Sequence, residues 1–68
     1  MKKIEAVTKE TLNHYYNRTD GNLYWLNTCT STWELVDGFS EEDCLEAMKN
    51  KIQFAFVNGS AVSSFKIN

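Results

Sequence analysis

The chain has 68 residues, a formal net charge of −2 and two cysteines, so it forms a single domain, residues 1–68, with a thin core. A hydrophobic content of 43% and a charged content of 24% exclude the disordered and coiled-coil classes. No apolar stretch reaches the length of a membrane span, and nothing indicates export; we therefore expect a cytoplasmic protein with both cysteines reduced.

The first eighteen residues have three interpretations. Residues 2–7 form a strand and residues 9–17 a helix capped by Thr8, or one helix runs through both segments. Alternatively, Asp20-Gly21 is a hairpin turn that folds residues 13–18 against the next segment. We favour the helix over 9–17, because apolar and aromatic positions from Ile4 to Tyr16 fall close to one helical face.

Two strands follow. Residues 22–28 are rich in aromatic and branched side chains, which is typical of a strand. In residues 32–38, Trp33 and Leu35 alternate with Glu34 and Val36. The two segments are predicted to pair as an antiparallel hairpin.

The clearest helix of the chain spans residues 40–51. Ser40 is its N-cap, and Asp43 stands where the carboxylate of a capping box is expected. Acidic residues then occupy the first turn and lysines the last, as the helix dipole favours. The predicted apolar stripe consists of Cys44, Leu45, Met48 and Ile52.

The C-terminal segment carries the strongest hairpin signal. Asn58-Gly59 lies between two runs of alternating large and small residues, which indicates a C-terminal β-hairpin turning at that pair. Its predicted core face carries Ile52, Phe54, Phe56, Ala61 and Phe65. The predicted water-facing side carries Gln53, Ala55, Val57, Ser60, Val62, Ser64 and Lys66.

These elements predict an α+β fold: a small antiparallel sheet of four to five strands with one or two helices packed on one face. A sheet this small cannot close into a barrel, so an edge strand is expected to be exposed. A symmetric homodimer through that edge would enlarge the thin core.

Charge is unevenly distributed along the chain. Seven acids and no lysine or arginine occur between Thr19 and Met48. Helix capping and turn chemistry explain most of them, namely Asp20, Asp37, Glu41, Glu42 and Asp43, whereas Glu34 and Glu46 have no such local reason. If these acids share a surface, they would attract a basic partner and speed the encounter.

Aromatic residues crowd the same half of the chain. Neighbours on a strand point to opposite faces, so one member of the Tyr24-Trp25 pair is expected to be exposed. Exposed tyrosine and tryptophan are typical of protein-binding hot spots. Trp33 is better explained as core filling.

No pattern supports catalysis. His14 is the only histidine and has no evident orienting partner, and it does not combine with the two cysteines at zinc-ligand spacing. No glycine-rich phosphate loop or calcium loop is present. We expect a protein that is not an enzyme and that uses no metal and no cofactor.

The sequence therefore predicts a small non-catalytic protein-binding module, an inhibitor or regulator whose partner has a basic or nucleic-acid-binding surface. The predicted contact residues are Tyr24, Trp25, Glu34, Glu41, Glu42, Asp43 and Glu46. The alternative is a nucleic-acid-binding module that uses Lys2, Lys3, Lys9 and Arg18 with Tyr15 and Tyr16. A third interpretation is a minor subunit of a larger assembly.

Overall fold

A computed structural model describes residues 3–59 of the chain. Its elements are β1 (Lys3–Ala6), α1 (Leu12–Tyr16), β2 (Gly21–Asn27), β3 (Thr32–Leu35), α2 (Glu41–Lys49) and β4 (Phe54–Asn58). The four strands form one antiparallel sheet in the order β1-β4-β2-β3. Both helices pack on the same face of this sheet, which confirms the predicted α+β class.

Strand β4 lies in the interior of the sheet. Along one edge it pairs with β1, from Lys3 opposite Asn58 to Ala6 opposite Ala55. Along the other edge it pairs with β2, so that Asn58 also lies opposite Gly21. Strand β4 therefore pairs with β1 on one edge and with β2 on the other. The predicted second arm of the C-terminal hairpin, residues 60–66, lies outside the described residues.

Both faces of β4 are buried. Phe54 and Phe56 point toward the helices, as predicted, but Ala55 and Val57 on the opposite face are only 4% and 1% exposed. The expectation that these two residues meet water was wrong. On that face Ala55 has Ala6 and Tyr24 as its cross-strand neighbours, and Val57 has Ile4 and Asn22. Gln53, just before the strand, is exposed as predicted.

Helix α1 begins later than expected. Thr11, not Thr8, occupies the N-cap position, and it makes no side-chain cap bond to the helix. Thr8 and Thr11 instead close a turn, in which the Thr11 backbone N–H donates to the Thr8 carbonyl over 3.1 Å. Of the three interpretations, the strand followed by a helix is the one observed; the hairpin at Asp20-Gly21 does not form.

Helix α2 has both predicted terminal signals. Ser40 accepts a hydrogen bond from the Asp43 backbone N–H, and Asp43 accepts one from the Ser40 backbone N–H, which completes the capping box. At the other end, the Lys51 N–H donates to the Met48 carbonyl and the Ile52 N–H to the Ala47 carbonyl. This is the Schellman arrangement, and it places Lys51 in the left-handed region at φ 65°.

The core lies between the sheet and the two helices. It consists of Val7, Leu12, Leu23, Cys44, Phe54 and Phe56, with partly buried side chains such as Leu45, Met48 and Ile52 packed around it. The predicted stripe of α2 therefore faces the core. Among residues 3–59, no helix has both the length and the apolar character needed to cross a membrane.

We predict that Gly21→Ala strongly destabilises the fold. A Cβ at Gly21 would lie 2.3 Å from the Val57 carbonyl oxygen and 2.8 Å from Cζ of Phe56, so β2 and β4 would have to separate. We expect a loss of about 2–3 kcal/mol or more in the free energy of unfolding, measured by urea denaturation. Gly38→Ala is the control: its Cβ would meet open space, and only the positive φ of 80° adds a cost of about 1–2 kcal/mol. An equal or smaller loss for Gly21→Ala would contradict the prediction.

Lys51→Gly is expected to stabilise the protein. The left-handed conformation costs a side-chain-bearing residue about 1–2 kcal/mol, and the greater freedom of glycine in the unfolded chain offsets about 0.5–1 kcal/mol of that gain. Thermal and urea unfolding should show a net increase of about 0.5–1 kcal/mol. Lys51→Ala removes the same charge but keeps the strain, so a Lys51→Gly variant no more stable than Lys51→Ala would refute this explanation.

Candidate protein-binding surface

The Tyr24-Trp25 pair is divided between the two faces of the sheet. Trp25 lies on the helix-facing side, opposite Phe54 on β4 and Glu34 on β3, and its ring is half-buried. Tyr24 points to the other face and is 1% exposed. Strand alternation thus gives the partly exposed position of the pair to Trp25, and the structure does not bring Tyr24 to the surface.

Glu34 is held in place by neutral groups. Its Oε2 accepts a hydrogen bond from Asn27 Nδ2 and a longer one, 3.4 Å, from the Thr30 hydroxyl. Asn27 also accepts backbone N–H bonds from Cys29 and Thr30, which fixes the loop between β2 and β3. These donors orient the carboxylate without neutralising its charge.

The acids of α2 point in different directions. Asp43 lies on the side of the helix that faces Trp25, and Glu46, one turn further on, is exposed on the adjoining side. Glu42 is also exposed. Glu41 is about 200° around the helix from Asp43 and is half-buried. Of the predicted acids on α2, Asp43 thus lines the cavity with Trp25, Glu46 adjoins Asp43 on the outer side of the helix, and Glu41 lies on the far side of Cys44.

A small apolar cavity opens beside Asp43. Its volume is about 180 Å³, and it is lined by Trp25, Val36, Phe39, Asp43, Cys44, Ala47, Ile52 and Phe54. Asp43 is the one charged residue among these lining side chains. The cavity thus combines an apolar interior with a carboxylate at its border.

Phe39 is a surface residue that the sequence analysis did not single out. It is 48% exposed, and its carbonyl accepts a hydrogen bond from the Tyr16 hydroxyl. Phe39 precedes the N-cap Ser40 and lines the cavity together with Cys44, which is the arrangement of a hydrophobic staple. An apolar residue directly before a capping box is the signal that could have identified it.

The ion pairs of residues 3–59 lie elsewhere in the molecule. Arg18 pairs with Glu5 at 2.8 Å and with Asp20 at 2.7 Å, and Lys3 lies 3.5 Å from Glu5. The hydrogen bonds from Arg18 lower the pKa of the Asp20 carboxyl. Asp20 is therefore neutralised, whereas no basic residue within the described chain pairs with the other acids of the acidic span, namely Glu34, Asp37, Glu41, Glu42, Asp43 and Glu46.

The predicted basic site for nucleic acid is largely occupied by contacts within the protein. The Arg18 guanidinium stacks over the Phe56 ring, with its carbon 4.2 Å from the ring centroid, and also contacts Tyr15. Tyr15 itself packs against Phe56, and Tyr16 bonds to Phe39. Lys9 is exposed, and Lys2 lies outside the described residues.

A larger depression of about 570 Å³ lies at one end of the sheet. Its lining includes Ile4, Trp33 and Met48, with Lys9 and Lys51 as its charged residues. It therefore differs in charge from the Asp43 cavity. Its lining also includes residues from both faces of the sheet, such as Phe54 and Ala55, so it does not lie on one face alone.

Metal-ligating groups do not assemble in the described part of the chain. Between Lys3 and Gly59, no three histidine, cysteine, aspartate or glutamate side chains are placed to hold a metal ion. His14 is exposed and makes an edge-on contact with the Tyr15 ring. Comparison with protein-family models, curated proteins and solved structures found no match to the chain.

We predict that the two cysteines differ sharply in reactivity. Cys29 is exposed, whereas Cys44 is 1% exposed, and burial, with the neighbouring Asp43 and Glu41, raises the pKa of its thiol above the ordinary 9.0. At pH 8, iodoacetamide should therefore alkylate Cys29 about tenfold faster or more, measured by peptide mapping.

The raised pKa of the Cys44 thiol also predicts how the stability of the fold changes with pH. Because the unfolded chain loses the Cys44 proton at a lower pH than the folded protein, this contribution to stability falls as the pH rises above about 9. In denaturant the two thiols should react alike. Alkylation of Cys44 as fast as that of Cys29 in the folded protein would contradict the burial.

Proposed function

We propose that this protein is a small non-catalytic binding module that acts in the cytoplasm, as an inhibitor or regulator, by docking on a partner protein. The contact surface consists of Trp25, Phe39, Glu34, Asp43 and Glu46, hereafter the Trp25 surface. The partner contributes a basic surface.

One observation carries the proposal: the carboxylates around Trp25 have no basic counterpart within residues 3–59. Within the described residues, Arg18 pairs with Glu5 and Asp20, and no ion pair forms at Glu34, Asp43 or Glu46. Such a field attracts a basic partner and raises the rate of association. The half-buried Trp25 and the exposed Phe39 add the aromatic area that is common at interface hot spots.

Direct nucleic-acid binding has weaker support. Stacking on bases requires free aromatic rings inside a positive groove, but Tyr15 packs against Phe56 and Arg18 is paired with two carboxylates. A homodimer through an outer strand remains a prediction, and no contact in the structure bears on it.

The proposal is tested by affinity capture from a lysate of the source cells. We expect the wild-type protein to retain one protein in stoichiometric amount and to release it as the salt concentration rises. Glu46→Lys should abolish this capture, because it reverses a charge on the Trp25 surface; near the end of α2 a lysine is compatible with the helix.

The matched control is Glu10→Lys, which makes the same exchange at an exposed position away from that surface. It should capture the partner like the wild type. Absence of a stoichiometric partner, or equal capture by Glu46→Lys, would refute the proposal. Salt-sensitive quenching of tryptophan fluorescence by mixed single-stranded oligonucleotides would favour the nucleic-acid alternative instead.

A further inference from the structure

The Asp43 cavity has the size of a single side chain. Its volume of about 180 Å³ is below the roughly 300–1,000 Å³ of sites that enclose whole small molecules. It is close to the roughly 150 Å³ of an engineered apolar cavity that stays dry and takes up benzene. One leucine-sized or phenyl-sized group therefore matches the space.

The walls of the cavity select an apolar group. Trp25 and Phe54 from the sheet, Ala47 from α2 and Ile52 after it supply hydrocarbon surface, and the Cys44 thiol at the base is 1% exposed. Ala47 leaves the space open, because its methyl group is the smallest side chain on this side of α2. A polar side chain would lose its water there without gaining a matching set of partners.

The charges around the cavity favour a positively charged binding segment. Asp43 lies at the border, Glu46 follows one turn along α2, and Glu34 lies across the ladder from Trp25. None of them has an ion-pair partner in the described part of the chain. If a segment of a partner protein places one side chain in the cavity, the neighbouring side chains of that segment would therefore lie near these three carboxylates.

We infer that the Asp43 cavity is a binding site for a basic protein segment, in which one leucine-like or aromatic side chain enters the cavity and flanking lysines or arginines pair with Asp43, Glu46 and Glu34. This inference rests on the proposed function and defines the chemistry of the partner. The apolar anchor supplies specificity, and the flanking cations supply orientation.

The test uses three synthetic heptapeptides with blocked ends and the full-length protein. The first has a central leucine among lysines and arginines, the second has glycine in place of the leucine, and the third has leucine among glutamates. Binding is followed by the NMR signal of the Trp25 indole N–H, which is assigned by its loss in Trp25→Phe. We expect the first peptide to shift this signal and to bind about tenfold or more tightly than the second, and we expect the third not to bind.

Two variants separate the cavity from the charge. Ala47→Leu fills the cavity with a good helix former; it should weaken the leucine peptide about tenfold and leave the glycine peptide unchanged. Glu46→Lys should weaken both basic peptides, whereas Glu10→Lys should affect neither. Urea unfolding of each variant checks that the fold is retained.

Several results would overturn the inference. These are equal binding of the leucine and glycine peptides, undiminished binding to Ala47→Leu, and binding of the glutamate peptide as tight as that of the basic one. Uptake of benzene that Ala47→Leu abolishes, without any preference for the basic peptide, would assign the cavity to a small apolar ligand instead. If Glu46-dependent capture of a partner succeeds while the peptides show no leucine dependence, this inference fails and the proposed function stands. The opposite result would retain the cavity site and reject the docking role.

Discussion

The fold depends on the burial of β4 on both faces and its pairing along both edges. This one strand joins β1, from the start of the chain, to β2, which in turn carries β3. Its phenylalanines form the floor under both helices, since Leu12 of α1 and Cys44 of α2 belong to the same buried cluster as Phe54 and Phe56. In a domain this small, no second core could compensate for loss of this strand. The close approach of Gly21 to Val57 follows from the same constraint.

The position of Phe56 also influences which carboxylates have an ion-pair partner within the described residues. The Phe56 ring supports the Arg18 guanidinium, and Arg18 in turn holds Glu5 and Asp20. With Lys3 beside Glu5, the two positive and two negative charges of this cluster balance. On the side of Trp25 and α2, the acids make hydrogen bonds to neutral donors, as Glu34 does with Asn27 and Asp43 with the Ser40 backbone. Among residues 3–59, carboxylates without an ion-pair partner therefore lie next to an apolar opening, which is the combination that a partner with a basic, apolar-anchored segment would complement.

Sequence reasoning was accurate where the determining interactions are local. The capping box of Ser40 and Asp43 and the stripe of α2 require only residues a few positions apart, and both are present. The predictions were wrong where contacts between segments distant in sequence determine which side chains are buried. Ala55 and Val57 are buried beside cross-strand neighbours on β1 and β2, and no pattern within residues 53–59 identifies those neighbours. For Tyr24 and Trp25, alternation predicted opposite faces, but which ring is buried depends on where the helices pack. The acids of α2 were grouped by their sequence proximity, whereas the helix turn separates Glu41 from Asp43.

The energetics of the Asp43 cavity limit what it can contribute to binding. Burial of one leucine-sized group is worth about 1.5–3 kcal/mol, and each exposed ion pair about 0–1 kcal/mol. Together these terms give about 1.5–6 kcal/mol before the entropic cost of association, which corresponds to binding in the millimolar range or weaker, so a stable complex would need further contact area. A standard interface covers about 800 Å² per partner, which is roughly one-sixth of the 4815 Å² surface of this protein. The exposed Phe39 and the outer face of α2 adjoin the cavity and can supply part of that area. In the proposed complex the three features would have separate roles: the carboxylates would govern the rate and salt dependence of association, the cavity would select the side chain, and the surrounding surface would set the affinity.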